Sequence, residues 1–318
     1  MSARLARTAE GWWLVTEAGL VRLDLPAATT AGLLADQAAL AAAMDAAQAR
    51  RKDAVPAESL HLLSPVTAPA RVVAQAVNYR SHATDSGFDP DTVPPAFFRK
   101  VSHSITGPAG DIIRPDGVGF LDYEVELGLV MGADLPVGTT VTEADLARYV
   151  AALVVADDVS ARQIQLVKTQ FYEAKSYPTF TPVGPWLTLV DAADLARLSS
   201  LRLTLRVNGE VRQDSTAAEM IVAPARALTL LSRFQPMAAG DLLLTGTPGG
   251  TALKAPGKIA GTLAGLLPPA TRWKLFFGRE AANPRYLRDG DVITAAIASP
   301  DGNLDLGTQR STVTGKTP

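Results

Sequence analysis

Glu124 and Glu126 lie two residues apart in the run Leu121-Asp-Tyr-Glu-Val-Glu-Leu-Gly-Leu-Val-Met131. In an extended strand, residues i and i+2 share a face. Both carboxylates, with Asp122 before them, then project one way, and Tyr123, Val125 and Leu127 the other. Like charges side by side on a half-buried strand repel each other and lose hydration. A cation between them removes both costs, and a hard divalent metal is the natural candidate. A solvated strand face with salt-bridge partners is the alternative. Either Asp157 or Asp158, where an apolar run stops, is placed to add a third carboxylate. Three carboxylates with open positions suit Mg²⁺, Mn²⁺ or Ca²⁺ rather than zinc. The only histidines are His61, His82 and His103, and their spacing matches no zinc signature.

His82 and Asp85 are three residues apart in Asn78-Tyr-Arg-Ser-His-Ala-Thr-Asp85. On a helix they share a face. A carboxylate holding an imidazole makes a general base that works on water near neutral pH.

The surrounding pattern predicts the elements that carry these groups. Residues 11–25 predict two short strands around a Glu-Ala-Gly turn, 29–51 a helix opened by Thr29 or Thr30, and 53–70 a proline-bearing linker. A small N-terminal α+β unit over 1–68 and a strand-rich unit over 69–318 follow. In the second unit, 72–77 and 120–131 predict strands, 80–95 a mobile loop, and 161–170 a helix capped by Ser160. Residues 201–213 predict a hairpin through Asn208-Gly209, which favours a tight primed turn. Residues 218–234 predict a helix, and 241–245 and 291–297 two strands. Residues 251–289 form an insertion with basic and aromatic residues. Trp273, Phe276 and Phe277 within it are expected in the core or at a dimer contact.

The chain has 318 residues, 47% of them hydrophobic, and a formal net charge of −2, enough for a sizeable core. Near-neutrality gives no electrostatic case for nucleic acid or an anionic membrane as partner. The absence of cysteine excludes disulfides, thiolate zinc sites, iron–sulfur clusters and a cysteine nucleophile. No stretch is long and apolar enough to span a bilayer, and the first residues lack an apolar signal core. A cytoplasmic protein is the expectation.

The residues also resemble a known family. The run Ala76-Val-Asn-Tyr-Arg-Ser-His-Ala-Thr-Asp85 is similar to the Gly-x-Asn-Tyr-x-x-His-x-x-Glu motif of the fumarylacetoacetate hydrolase superfamily. Pro95-Ala-Phe-Phe-Arg-Lys100, Asp122-Tyr-Glu-Val-Glu126 and Asp158-Val-Ser-Ala-Arg-Gln-Ile-Gln165 follow in order. Then come Lys175 before Gly184-Pro185, Val207-Asn-Gly-Glu-Val-Arg-Gln213, and Gly240-Asp-Leu-Leu-Leu-Thr-Gly-Thr-Pro248. The resemblance implies a mixed β-roll or β-sandwich catalytic domain with short helices, behind the small N-terminal domain. It implies Glu124, Glu126 and Asp158 as ligands of Mg²⁺ (or Mn²⁺ or Ca²⁺), and His82, Asp85 and Lys175 as catalytic groups. Tyr79, Lys100, Gln165 and Thr247 would meet the substrate, a dicarbonyl or 2-oxo acid. Asp85 stands where many members carry Glu, and Ala76 where Gly is usual. The implied activity is metal-dependent hydrolysis of a C–C bond in an acylpyruvate-type substrate, in catabolism of aromatic or related compounds, by a homodimer. The acylpyruvate hydrolases and 2-oxo-hepta-3-ene-dioate hydratases of bacteria are the nearest type. In that scheme His82, oriented by Asp85, deprotonates water, and Lys175 stabilises the enolate left by cleavage. Oxaloacetate-type decarboxylation, hydration of 2-oxo-alkenoates and keto–enol isomerisation are alternatives on the same scaffold. A non-catalytic metabolite-binding protein is a further one.

Overall fold

The strand predicted over 120–131 is two strands in two different sheets, Leu121–Asp122 and Val125–Met131. The protein is described by a computed structural model covering residues 2–255 and 268–315. The break falls at Tyr123-Glu124 because side chains take the backbone donors there. Asp122 accepts from the Tyr123 N–H (2.9 Å), Asp157 from the Glu124 N–H (2.8 Å) and Gln213 from the Val125 N–H (2.9 Å). No ladder can run through three donors already engaged.

Val125–Met131 is an interior strand, sixth in order, of a nine-stranded mixed sheet. Across it run Gly19–Arg22, Gly11–Thr16, Arg4–Thr8, Leu187–Leu189, Val150–Asp157, Val125–Met131, Leu242–Leu244, Val72–Ala76 and Ala96–Lys100. Only Leu242–Leu244 and Val72–Ala76 pair in parallel in this sheet. The N-terminal strands join through Arg4–Thr8, which pairs with Leu187–Leu189, so the sheet runs on across residue 68. Alternation along Val125–Met131 sends Leu127, Leu129 and Met131 to one core and Val130 to another. The first core lies against a five-stranded sheet of Glu210–Thr216, Arg202–Val207, Val292–Ala298, Asp305–Gly315 and Ile112–Arg114. The second lies under helices Thr30–Ala35 and Gln37–Ala49, which contribute Leu33, Leu34, Leu40, Ala43 and Ala47. An α+β fold with a strand-rich centre is therefore what the chain adopts.

Several elements differ from expectation for local reasons. The helix over 29–51 is split at Asp36, whose carboxylate caps a second helix by accepting from the Ala39 N–H. Residues 80–85, expected as the start of a loop, form the helix Arg80–Asp85. Ser160 does not cap the next helix, Arg162–Lys168; its hydroxyl donates to the Asp158 carbonyl. The predicted helix over 218–234 is shorter, Pro224–Ser232, opening with proline at its first position. The hairpin forms as expected, with Asn208 and Gly209 both at positive φ. Residues 256–267 of the proposed insertion lie outside the described residues, and Pro269–Ala281 is a helix. Among the described residues no helix is long and apolar enough to cross a membrane.

Candidate metal centre

The central strands end together at one rim of the sheet, and the acidic residues sit there. Glu126 is the second residue of Val125–Met131, Asp157 ends the antiparallel neighbour Val150–Asp157, and Asp158 follows it. One carboxylate oxygen from each of Glu124, Glu126 and Asp158 lies within 4.8 Å of the others, and all three residues are buried. Of the two aspartates left open by spacing, Asp158 turns into the cluster. Asp157 turns back to hold the Glu124 N–H, and burial pushes its carboxyl up to about 7. Asp122 is a structural anchor. It accepts from Arg162 Nε and from the N–H groups of Tyr123, Ala252 and Leu253.

Three buried cations surround the cluster. Lys175 Nζ bridges Glu124 (2.5 Å) and Asp158 (2.6 Å). Arg162 pairs with Glu124 and Asp122, and Lys100 with Asp158 and the Phe180 carbonyl. Burial alone would raise the Glu124 carboxyl, but Arg162 and Lys175 outweigh it and hold it below the ordinary range. Glu126 goes the other way. Burial, then the Asp158 and Glu124 charges, raise it well above the ordinary range, against the Lys175 charge and a hydrogen bond from the Gly246 N–H (2.7 Å). Among the described residues Glu126 has no salt bridge. Converging oxygen donors, one of them a carboxyl whose anion no salt bridge among the described residues stabilises, fit a hard divalent cation. The chain could hold such an ion on Glu124, Glu126 and Asp158.

The other expected site residues divide into those facing the adjoining cavity and those behind it. His82, Gln165, Lys175 and Thr247 line it; Lys100, Tyr79 and Asp85 do not. His82 is buried, its Nδ1 has no hydrogen-bond partner, and burial lowers its pKa below the ordinary value. The expected His82–Asp85 hydrogen bond is absent from the described contacts. Asp85 instead accepts from the Gly250 N–H (3.0 Å) and pairs with Lys254 (3.0 Å), docking its helix on the 249–255 segment. Spacing placed the two on one helix, but the neighbouring loop captured the carboxylate. Lys100, expected against substrate, is engaged behind Asp158. Tyr79 is buried in the core and bridges to Met220, with its phenol pKa raised by burial and by Glu126. Gln165 accepts from Arg162. Thr247 donates to the Val125 carbonyl and accepts from Gln213, so its hydroxyl is spent on the scaffold.

Other residues here were given no role by the sequence, although Asn78, Arg162, Gln213 and Gly246 fall inside the motifs quoted above. Gln213 ties Val125 to Thr247 and Pro248. Arg162 neutralises Asp122 and Glu124 together, and its position four residues after Asp158, at the start of a helix, was the available signal. Gln75 is buried, lines the cavity, and leaves its Oε1 without a partner. Phe276 lines the cavity as well, against the expectation for the insertion's aromatics. Gly246 permits the close approach. It has φ +84°, and a Cβ there would lie 2.7 Å from the Asn78 Cβ. Asn78 clamps this corner through the Thr245 carbonyl and both polar groups of Val222.

The family model for the fumarylacetoacetate (FAA) hydrolase C-terminal region matches residues 71–314. Mitochondrial oxaloacetate tautomerase Fahd2a of Rattus norvegicus is 36% identical over 202 residues, 63% of this chain and 62% of that protein. The match therefore spans about three-fifths of that relative's length. Oxaloacetate tautomerase YisK of Bacillus subtilis is 31% identical over 248 residues, 76% of this chain and 71% of that protein. A probable 2-hydroxyhepta-2,4-diene-1,7-dioate isomerase from Mycobacterium abscessus has a solved structure with TM-score 0.73 at 28% identity, covering all of both chains. A fumarylacetoacetate hydrolase from Exiguobacterium antarcticum shares the fold, with TM-score 0.71 at 24% identity over 99% of this chain and all of that one. The chain belongs to the fumarylacetoacetate hydrolase family.

Proposed function

We propose that this member of the fumarylacetoacetate hydrolase family is a keto–enol tautomerase of 2-oxo acids, using Mg²⁺ on Glu124, Glu126 and Asp158. One observation carries the choice over C–C hydrolysis. Hydrolysis needs a base strong enough to activate water, and the carboxylate that would orient His82 is bound to Gly250 and Lys254. Tautomerisation needs only a neutral base beside the substrate carbon, and burial keeps His82 neutral. The similarity to two oxaloacetate tautomerases points the same way.

A bound Mg²⁺ would polarise the 2-oxo oxygen as a Lewis acid. His82 takes the proton from the carbon next to the carbonyl. The Lys175 ammonium, whose pKa the Asp158 and Glu124 charges raise despite burial, stabilises the negative charge that develops on oxygen. Gln75 Oε1 offers an acceptor to the enol hydroxyl. Asp85 is assigned the docking of the helix that carries His82, Lys100 the fixing of Asp158, and Tyr79 and Thr247 the support of the rim. A homodimer is part of the same proposal.

The test is decay of the enol absorbance of oxaloacetate with Mg²⁺ present, run beside assays for pyruvate release from oxaloacetate and from acetylpyruvate. The expected result is tautomerisation at least about 100-fold above the spontaneous rate, an ordinary contribution for a positioned base, and its loss in His82→Ala. Pyruvate release that outruns tautomerisation would restore the hydrolase or decarboxylase reading.

A further inference from the structure

The cavity beside the carboxylate cluster has a volume of about 370 Å³. Cavities of that size accommodate ligands far larger than a four-carbon diacid. Its lining is mixed in chemistry. Glu124, Glu126, Lys175 and His82 bring charge and polarity to the cluster side, and Phe88, Phe98, Phe171, Leu166, Leu253 and Phe276 are the large apolar residues of a lining that also holds Arg162, Gln165 and Lys254. Phe98 and Phe171 are stacked, with centroids 4.8 Å apart and planes 19° apart. Lys175 Nζ lies 5.2 Å from the Phe98 ring centroid, so the aromatic residues begin beside the cluster. Phe88, which also lines the cavity, is 51% exposed. The cations along the wall are engaged. Arg162 and Lys175 hold the cluster carboxylates, and Lys254 pairs with Asp85. A second substrate carboxylate meets no unpaired cation among the described lining residues.

We propose that the preferred substrate is an arylpyruvate, a 2-oxo acid with an aromatic ring on the carbon next to the carbonyl. The oxo-acid end lies at the carboxylate cluster and the ring against Phe98, Phe171 and Phe276. Aromatic walls favour an aromatic ring over an alkyl chain of equal area, because ring pairs gain from their quadrupoles beyond simple burial. The proposal rests on the tautomerase reading and narrows it. In the step, a C–H bond next to the carbonyl breaks and an O–H bond forms on the former carbonyl oxygen. The C–C bond between them becomes double, and nothing is oxidised or reduced.

Enol–keto interconversion of phenylpyruvate, oxaloacetate and 4-methyl-2-oxopentanoate, each with Mg²⁺, separates the two claims. The expected kcat/KM for phenylpyruvate exceeds the other two by at least about tenfold, as one ring in an apolar pocket commonly gives. Equal or better turnover of oxaloacetate or the branched acid overturns the arylpyruvate assignment and leaves the tautomerase reading standing. No turnover of any of the three overturns both. A binding arm needs no catalysis. Calorimetry of the Mg²⁺-loaded protein with phenylglyoxylate and with oxalate, neither of which can enolise, reads the wall directly. Phe276→Ser and, separately, Phe88→Ser should weaken phenylglyoxylate at least fivefold more than oxalate. Both positions are partly exposed, so either protein folds. Equal effects on the two ligands in both variants overturn the proposal.

Discussion

Glu126 and His82 behave as they do because burial acts on opposite charge types. For Glu126, burial and two neighbouring carboxylates disfavour the anion, and a divalent cation restores it. Glu126→Gln keeps the shape and removes the charge. The expected outcome is at least about a 100-fold loss of Mg²⁺ affinity by calorimetry, taking the loss from an outer-shell change as the lower bound. The thermal midpoint of metal-free protein should be unchanged or higher. A variant that still binds Mg²⁺ normally would remove Glu126 from the centre. For His82, burial disfavours the cation, so its folded pKa lies below the ordinary 6.5. As pH falls through 6.5 toward that lower value, the unfolded chain binds a proton that the folded chain refuses. Stability therefore falls toward acid, by up to about 1.4 kcal/mol per pH unit from this group. Urea unfolding of metal-free protein at pH 7.5, 6.5 and 5.5 should show a shallower acid loss in His82→Gln than in the parent; equal slopes would contradict the buried neutral imidazole.

At the scale of elements, the centre is made by strand ends and the loops leaving them. Glu124 lies in a strand break and Glu126 in the strand that follows it, Asp158 follows a strand end, and the Thr245-Gly246-Thr247 segment closes over Glu126. The segment needs glycine for its φ and for the Asn78 contact. Gly246→Ala is expected to cost roughly 1–3 kcal/mol, the usual range for backbone forced into an unfavourable region. Mg²⁺ affinity should fall about tenfold as the hydrogen bond to Glu126 shifts. Gly138→Ala is the control, since φ there is +81° with nothing within 4 Å of the added Cβ. Equal losses at the two positions would show that φ alone, and not the Asn78 contact, sets the cost. The strands, the hairpin and the order of motifs were legible because alternation and turn residues are local signals. The break at Tyr123-Glu124 was not, because its cause is three side chains, two of them distant, competing for backbone donors.

For the whole molecule, two cores share the central sheet, and the centre lies where that sheet's strands converge. Metal binding to the folded chain alone must stabilise all of it. At 100 times Kd the gain is about 2.7 kcal/mol. At roughly 2–4 °C per kcal/mol for a large domain, Mg²⁺ should raise the thermal midpoint by several degrees, and EDTA should reverse it. An unchanged midpoint at saturating Mg²⁺ would argue that the carboxylates hold no metal.

The sequence by itself determined the chemistry on offer: an acid pair two residues apart, a third acid where an apolar run stops, a histidine three residues before an aspartate, a lysine downstream. Those are statements about residue types and spacings, which need no knowledge of distant contacts. It also pointed to the family, since seven motifs in order survive any ambiguity in a single one. Spacing alone left Asp157 and Asp158 open and the family resemblance implied Asp158; the tertiary structure supplies the physical reason, since packing turns Asp158 toward Glu124 and Asp157 back to the Glu124 N–H. The tertiary structure alone decided that Asp85 is taken by Gly250 and Lys254, which lie about 165 residues further along the chain. It alone brought Phe276 to the cavity. Hydrogen bonds and cavity walls are made by proximity in space, and no local pattern encodes which distant group arrives first.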